Sequence, residues 1–244
     1  EDRVRIVEAV SPWQDIRPIG EHIVAGGMIL PGHHKIRAID VGVLLSAGIT
    51  EIEVAARPSV AVFPTGTEII EPGETPTEGS IIESNSRMFE NLAKEQGARA
   101  ERFPVIPDDY EKIRQAVKDA VKKYDMVIIN AGSSAGTEDY TVHVLRELGE
   151  VVVHGVAIKP GKPVILAVVE NCPVIGLPGY PVSAYIGFEN FVTPVLAMMG
   201  DYTCRKNPVI DAVISKRLVS SLKHREYIRV KVGKVGDKLV AAPL

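Results

Sequence analysis

Two ammonium groups stand three residues apart in Ala157-Ile158-Lys159-Pro160-Gly161-Lys162-Pro163, with a proline after each lysine and a glycine between them. Proline fixes its φ and lysine carries a compact, strongly hydrated charge, so the stretch reads as a stiff cationic corner suited to an anion. Solvated lysines in an ordinary turn between two strands are the plainer alternative. Two glycine-rich loops accompany the corner, Ala131 to Gly136 and Gly176 to Ser183, and each follows a run of strand type. In an open α/β sheet such turns gather at one edge, where ligands bind.

A shorter loop, Pro64-Thr65-Gly66-Thr67-Glu68, follows an earlier strand-like run. Backbone N–H groups around Thr65 and Gly66 suit a phosphate or another oxyanion, and Glu68 can hold a divalent cation beside it. In Ala131-Gly132-Ser133-Ser134-Ala135-Gly136-Thr137-Glu138-Asp139-Tyr140 the small residues Gly132, Ser133 and Gly136 let a ligand approach the backbone. Asp139 lies in the first turn of the next helix, where favourable interaction with the helix dipole is reason enough for an acid. In the third loop two prolines, Pro178 and Pro181, and Gly179 fix the turn, and Ser183 falls near a helix start, where it could cap the helix or touch a ligand.

A rival chemistry lies in Gly132-Ser133-Ser134-Ala135-Gly136, which matches the G-x-S-x-G nucleophile elbow in a strand-turn-helix setting. Ser134 would be the nucleophile, with His154 or His224 as base. Against it, no HGGG-type oxyanion segment lies upstream, and a serine hydrolase has no use for the lysine pair. His33 and His34 read as turn residues, because neighbouring side chains there point in different directions.

The elements that must position these loops come from a 244-residue chain whose 45% hydrophobic content is mainly aliphatic, with only 5% aromatic residues. That balance favours a Val/Ile-rich sheet covered by helices over an aromatic nucleic-acid or carbohydrate platform. With a net charge of -3 there is no global positive field for a polyanion, so nucleic acid is not an expected partner. Cys172 and Cys204 form neither a CxxC nor a zinc pattern, which fits buried thiols in a reducing compartment. No apolar run of spanning length and no basic-then-apolar leader is visible, so the expectation is a cytoplasmic protein without membrane association.

Residues 1–54 read as a small, partial β-rich domain with one helix, Asp40 serving as its N-cap. Residues 55–203 alternate strand and helix, which predicts parallel βαβ units and a three-layer, doubly wound, mostly parallel sheet. Residues 204–244 read as a partial C-terminal antiparallel β domain. The chain opens and closes in strand-like stretches and lacks an initial methionine, so an internal piece of a longer polypeptide is expected.

Taken in order, the loops resemble the molybdopterin molybdenumtransferase family, whose animal relative is the E domain of gephyrin. The similarity runs from about Ile16 to the end, carried by Ile158 to Pro163, Gly176-Leu177-Pro178-Gly179, Pro181-Val182-Ser183, Thr65-Gly66 with Glu68, and Gly136 to Tyr140. The resemblance implies molybdenum cofactor biosynthesis: insertion of molybdate, or tungstate, into adenylylated molybdopterin with release of AMP, by a homodimer that also meets other cofactor-synthesis proteins. Under it, Lys159, Lys162, Ser134 and Ser183 hold molybdate and phosphate oxygens, while Glu68, Glu83 and Asp139 serve the magnesium-dependent release of AMP. Thr65, Gly66, Asn85, Gly132, Ser133, Gly136, Gly161, Pro163, Pro178 and Gly179 would form the pterin-nucleotide site.

Four positions depart from the family pattern: Thr67 and Glu83 replace aspartates, Ala131 a glycine, and Tyr180 an asparagine. Each touches a loop of the expected site and bears on rate and metal preference. They keep two alternatives in play, a molybdopterin adenylyltransferase-like nucleotide enzyme and a non-catalytic scaffold relative.

Overall fold

The computed structural model describes residues 2–130, 140–203 and 208–244, which form two compact units, Glu1–Val54 and Ala55–Leu244. The first unit holds one helix, α1 (Ala38–Ser46). The expected strands are not there: among its described residues no segment is a strand, and Val4, Ile6 and Val7 are largely exposed. Apolar alternation becomes a strand only when another strand satisfies its backbone and packs its side chains, and these short Gly/Pro-broken segments find none in the unit. Asp40 is also not the N-cap. It sits in the first turn, and its carboxylate reaches back to the N-cap amide of Arg37 (2.8 Å), to the Arg37 guanidinium and to His34 Nε2 (2.8 Å).

The second unit runs β1 (Ser59–Pro64), β2 (Ile69–Ile70), β3 (Ile81–Ile82), α2 (Asn85–Glu95), β4 (Arg99–Arg102), α3 (Tyr110–Ala120), β5 (Met126–Asn130), α4 (Tyr140–Leu148), β6 (Glu150–His154), β7 (Ile158–Lys159), β8 (Ile165–Val169) and β9 (Cys172–Leu177). It continues with α5 (Pro181–Gly187), a π-helical turn (Phe188–Val192), α6 (Thr193–Met199), β10 (Val213–Ile214), β11 (Arg225–Glu226), β12 (Val230–Val235) and β13 (Lys238–Pro243). Six strands form the central sheet in the order β4-β1-β5-β9-β8-β6. β4, β1, β5 and β9 are parallel, with Val60 beside Ala100 and Met126, and Val127 beside Val174. The mixed α/β fold with a mainly parallel sheet is therefore as read from the sequence.

Strand periodicity divides the core between the two sheet faces. Ala61, Phe63, Val127 and Ile129 pack with Ile113 and Val117 of α3 and Leu145 of α4. Val60, Val62, Met126 and Ile128 pack with Phe89 of α2 and with Ala184, Phe188, Val192 and Leu196 of the last long helix. These six-residue-long and shorter strands are buried on both sides, which is why β1 and β5 read as continuous apolar runs.

Three further departures have local causes. β8 and β9 pair antiparallel, because only Glu170 and Asn171 join them, both at positive φ (49° and 66°), a two-residue hairpin turn. The helix over Pro181–Met199 is 19 residues long with a mean hydropathy of 1.2, enough by length and composition to span a bilayer, where no such run was expected. Its Ala184, Phe188, Val192 and Leu196 are buried against the sheet. In the C-terminal part β12 and β13 are antiparallel, but β10 lies parallel to β13. The chain between β10 and β12 is drawn aside, because β11 pairs with β7 next to the lysine corner.

Candidate active site

The C-terminal ends of β1, β5 and β9 carry the site. Beyond β1 the loop is fixed by its backbone: Thr65 donates its N–H (3.0 Å) and its hydroxyl (3.1 Å) to the carbonyl of Asn130, and Gly66 donates to Ile106 (3.0 Å). Gly66 has φ +146°, and a Cβ there would lie 2.6 Å from Ile69 Cγ1 and 3.0 Å from Glu68 Oε2. Only glycine lets the carboxylate fold this close to the turn. Thr67 exchanges two bonds with Asp108 (3.1 and 3.3 Å) and so ties the loop to the segment before α3.

β2 and β3 are short, yet their parallel ladder decides where Glu83 falls. Ile81 donates to Glu68 (2.9 Å) and Glu83 to Ile70 (2.8 Å). The Glu83 side chain is only 2% exposed. Its Oε1 accepts from the Ser86 amide in the first turn of α2 (2.6 Å), a favoured place for an anion, whereas Oε2 has no hydrogen-bond partner among the described residues. Asn85 donates to the carbonyl of Gly179 (2.6 Å), and Asn130 donates to those of Pro178 (3.2 Å) and Leu177 (3.4 Å). Three loops distant in sequence are thereby stitched together.

Between them lies a cavity of about 370 Å³, lined by Thr65, Glu68, Glu83, Asn85, Asn130 and Gly179 together with Ile69, Ile81, Ile82 and Tyr180. Its volume is in the range of small-molecule sites, and the mixture of apolar walls with a few placed polar groups is typical of them. Glu71 stands next to it and binds Arg102 and Arg87. Burial acts to raise its pKa, but those two guanidiniums outweigh burial and hold the carboxyl below its usual range.

The lysine corner is placed differently from expectation. Lys159 and Lys162 are exposed and neither lines the cavity; nor do Gly161, Pro163 or Ser183. Lys159 Nζ lies 3.4 Å from Glu226 Oε1, delivered by β11, in which Glu226 is the register partner of Lys159. The Glu226 carboxyl is held down to about 2, first by the Ser221 hydroxyl and then by the Ser221 amide. The corner does meet the third loop. Gly161, at φ +112°, has its would-be Cβ 3.5 Å from the carbonyl of Ser183, so the turn rests on the first turn of α5. The opening residues of that turn, Tyr180 and Pro181, line the cavity. Ser183 does not cap α5: the N-cap is Tyr180, and no side chain caps the helix.

Gly132, Ser133, Ser134, Gly136 and Asp139 lie outside the described residues, as does Ala131. Of the bases considered for a Ser134 hydrolase, His154 is exposed on β6 and His224 meets the carbonyl of Leu222 (3.3 Å). Pro178 is buried and does not line the cavity, and its carbonyl is held by Asn130. Asn130 and Glu226 were missed from sequence. Asn130 had a legible signal, a polar residue ending the apolar run Met126 to Ile129, but Glu226 had none, because a parallel pair far apart in the chain brings it in.

A family profile described as "Probable molybdopterin binding domain" matches residues 61–198. The molybdopterin molybdenumtransferase of Haemophilus influenzae is 31% identical over 223 residues, 91% of this chain and 55% of its own length. That of Nostoc sp. is 30% identical, over 93% of this chain and 53% of its own. The crystal structure of the molybdopterin biosynthesis MoeA protein of Pyrococcus horikoshii superposes with a TM-score of 0.76 at 34% identity, covering 88% of this chain and 52% of that one. The chain thus spans about half the length of the curated relatives it matches. With the profile match covering β1 to α6, the chain belongs to the molybdopterin-binding domain family.

Proposed function

We propose that the chain is the pterin-nucleotide-binding part of a molybdopterin molybdenumtransferase, acting in molybdenum cofactor biosynthesis on adenylylated molybdopterin and molybdate, with AMP released. The observation that carries this reading is the cavity at the ends of β1, β5 and β9, which unites Thr65, Glu68, Glu83, Asn85 and Gly179. Thr65, Glu68 and Gly179 belong to the motifs that carry the resemblance to that family, and Glu83 supplies a carboxylate where the family pattern has an aspartate. The backbone around Thr65 and Gly66 would take phosphate oxygens. Lys159 and Lys162, which flank the Gly161 turn against α5, would neutralise the incoming oxyanion, and positioning of the two reactants would do the rest.

Magnesium fits the donors present. Glu68 and Glu83 line one cavity, and Glu83 keeps a buried oxygen without a hydrogen-bond partner among the described residues. Among those residues no three acidic, histidine or cysteine side chains gather into a cage. Magnesium needs few protein ligands when water and phosphate oxygens complete its shell. When bound there, the ion would stabilise the charge of the departing adenylate. A homodimer in the cytoplasm, in contact with other cofactor-synthesis proteins, belongs to the same reading.

The test is molybdate-dependent AMP release from adenylylated molybdopterin, comparing this chain with Lys159→Ala and Lys162→Ala. Turnover is expected to fall by about a hundredfold in each variant, as for loss of a charge-stabilising group. Release that is unchanged in both variants would remove the lysine corner from the reaction.

A further inference from the structure

Around Glu83 the charges are balanced in an unusual way. Its Oε2 has Arg102 Nη2 at 3.6 Å and Arg87 Nε at 3.8 Å, near enough to offset a buried carboxylate but too far to hydrogen-bond. Both guanidiniums are instead held by hydrogen bonds to other groups. Arg102 donates Nη2 to Glu71 Oε1 and Nε to Ser86 Oγ (2.8 Å), and Arg87 donates Nη2 to Glu71 Oε2 (3.0 Å). Glu71 is one-third exposed and does not line the cavity, whereas Glu83 does. A buried ion needs both a counter-charge and hydrogen bonds. Here the counter-charge is supplied and half of the hydrogen-bonding capacity is left open.

We propose that Glu71 is a positioning residue for the site: by drawing the Arg87 and Arg102 N–H groups onto its own two oxygens, it keeps Glu83 Oε2 uncapped and free for a ligand in the cavity. Without Glu71, the nearest remaining anion for Arg102 is Glu83, and a movement of well under 1 Å would turn the 3.6 Å approach into a hydrogen bond. That closure would occupy the oxygen without altering any residue of the cavity wall. The chemistry recognised by the open oxygen is that of a divalent cation, which rests on the reading of Glu83 given above.

The test uses Mn²⁺ as a paramagnetic probe, titrated by EPR into the whole chain and into Glu71→Ala, Glu71→Gln and Glu83→Gln, with the unfolding midpoint recorded for each. Removing a residue that orients a metal ligand costs about 10- to 100-fold in affinity. Half-saturating Mn²⁺ is therefore expected to rise at least about tenfold in Glu71→Ala and less in Glu71→Gln, which keeps one acceptor oxygen. A crystal structure of Glu71→Ala should show Arg102 within hydrogen-bond distance of Glu83 Oε2. If Glu83→Gln loses Mn²⁺ while both Glu71 variants bind it like the parent, the positioning role is overturned and the cation site stands. If Glu83→Gln also binds like the parent, the cation reading fails, and the crystal structure alone then decides: an Arg102 to Glu83 separation still at 3.6 Å overturns the proposal.

Discussion

Gly161→Ala separates the geometry of the lysine corner from its charge. The substitution leaves both ammonium groups in place and adds one methyl group at φ +112°, where it would meet Ile158 Cδ1 at 2.8 Å and the Ser183 carbonyl at 3.5 Å. Backbone held in such a sparsely populated region costs about 1–3 kcal/mol. Turning Ile158 out of its rotamer to clear the methyl adds up to about 1.5 kcal/mol. A loss of about 2–4 kcal/mol corresponds to a fall of about 5–15 °C in the unfolding midpoint for a unit of this size. Gly155→Ala is the control, because Gly155 has φ +85° but its would-be Cβ meets nothing nearer than the Lys162 carbonyl at 3.6 Å. It should cost only the left-handed backbone, about 1–2 kcal/mol. Calorimetry gives the two midpoints, and the molybdate dependence of AMP release gives the functional reading. On the proposed function, displacing the corner by about 1 Å against α5 should lower turnover by up to about a hundredfold in Gly161→Ala. A Gly161→Ala protein that melts no lower than Gly155→Ala and turns over like the parent would refute the idea that this contact sets the corner in place.

Other outcomes follow from single groups. Asn130→Ala strips the hydrogen bonds from the carbonyls of Leu177 and Pro178 in a buried setting; a loss of about 1–3 kcal/mol is expected in denaturant titration, and none would mean that the stitching between β5 and β9 carries no stability. Burial, with some help from Asp125, pushes the Cys172 thiol up to about 11, so alkylation at pH 8, read on its own peptide by mass spectrometry, should be slow until the unit unfolds. Glu226 is depressed from an ordinary 4.5 to about 2. Its contribution to the β7–β11 contact is therefore fully present above pH 4.5 and lost as pH falls towards 2. The hydrogen-exchange protection factor of the Tyr227 amide, which donates to the Lys159 carbonyl at 2.8 Å, should fall over that window and stay constant above it.

Much of this molecule is determined by local composition. The apolar runs Val60 to Phe63 and Met126 to Ile129 can only be strands buried on both faces, and amphipathic helices of ten or so residues between them leave little choice but a parallel sheet. The Lys-Pro-Gly-Lys corner and the Pro-Gly-Tyr-Pro loop are likewise set by residue type, since the prolines restrict the backbone before any tertiary contact forms and Gly161 admits the positive φ of its turn. Where the unaided sequence fell short, the deciding term is long-range. Alternating residues in 1–54 could not become strands without a partner, and the brief parallel pair of β2 with β3 buried Glu83 at the cavity while β11, arriving from far along the chain, set Glu226 against Lys159. Hydrogen-bond pairing and charge compensation act between atoms about 3 Å apart in space, whatever their separation in sequence, so only the folded chain could decide which acids and bases meet.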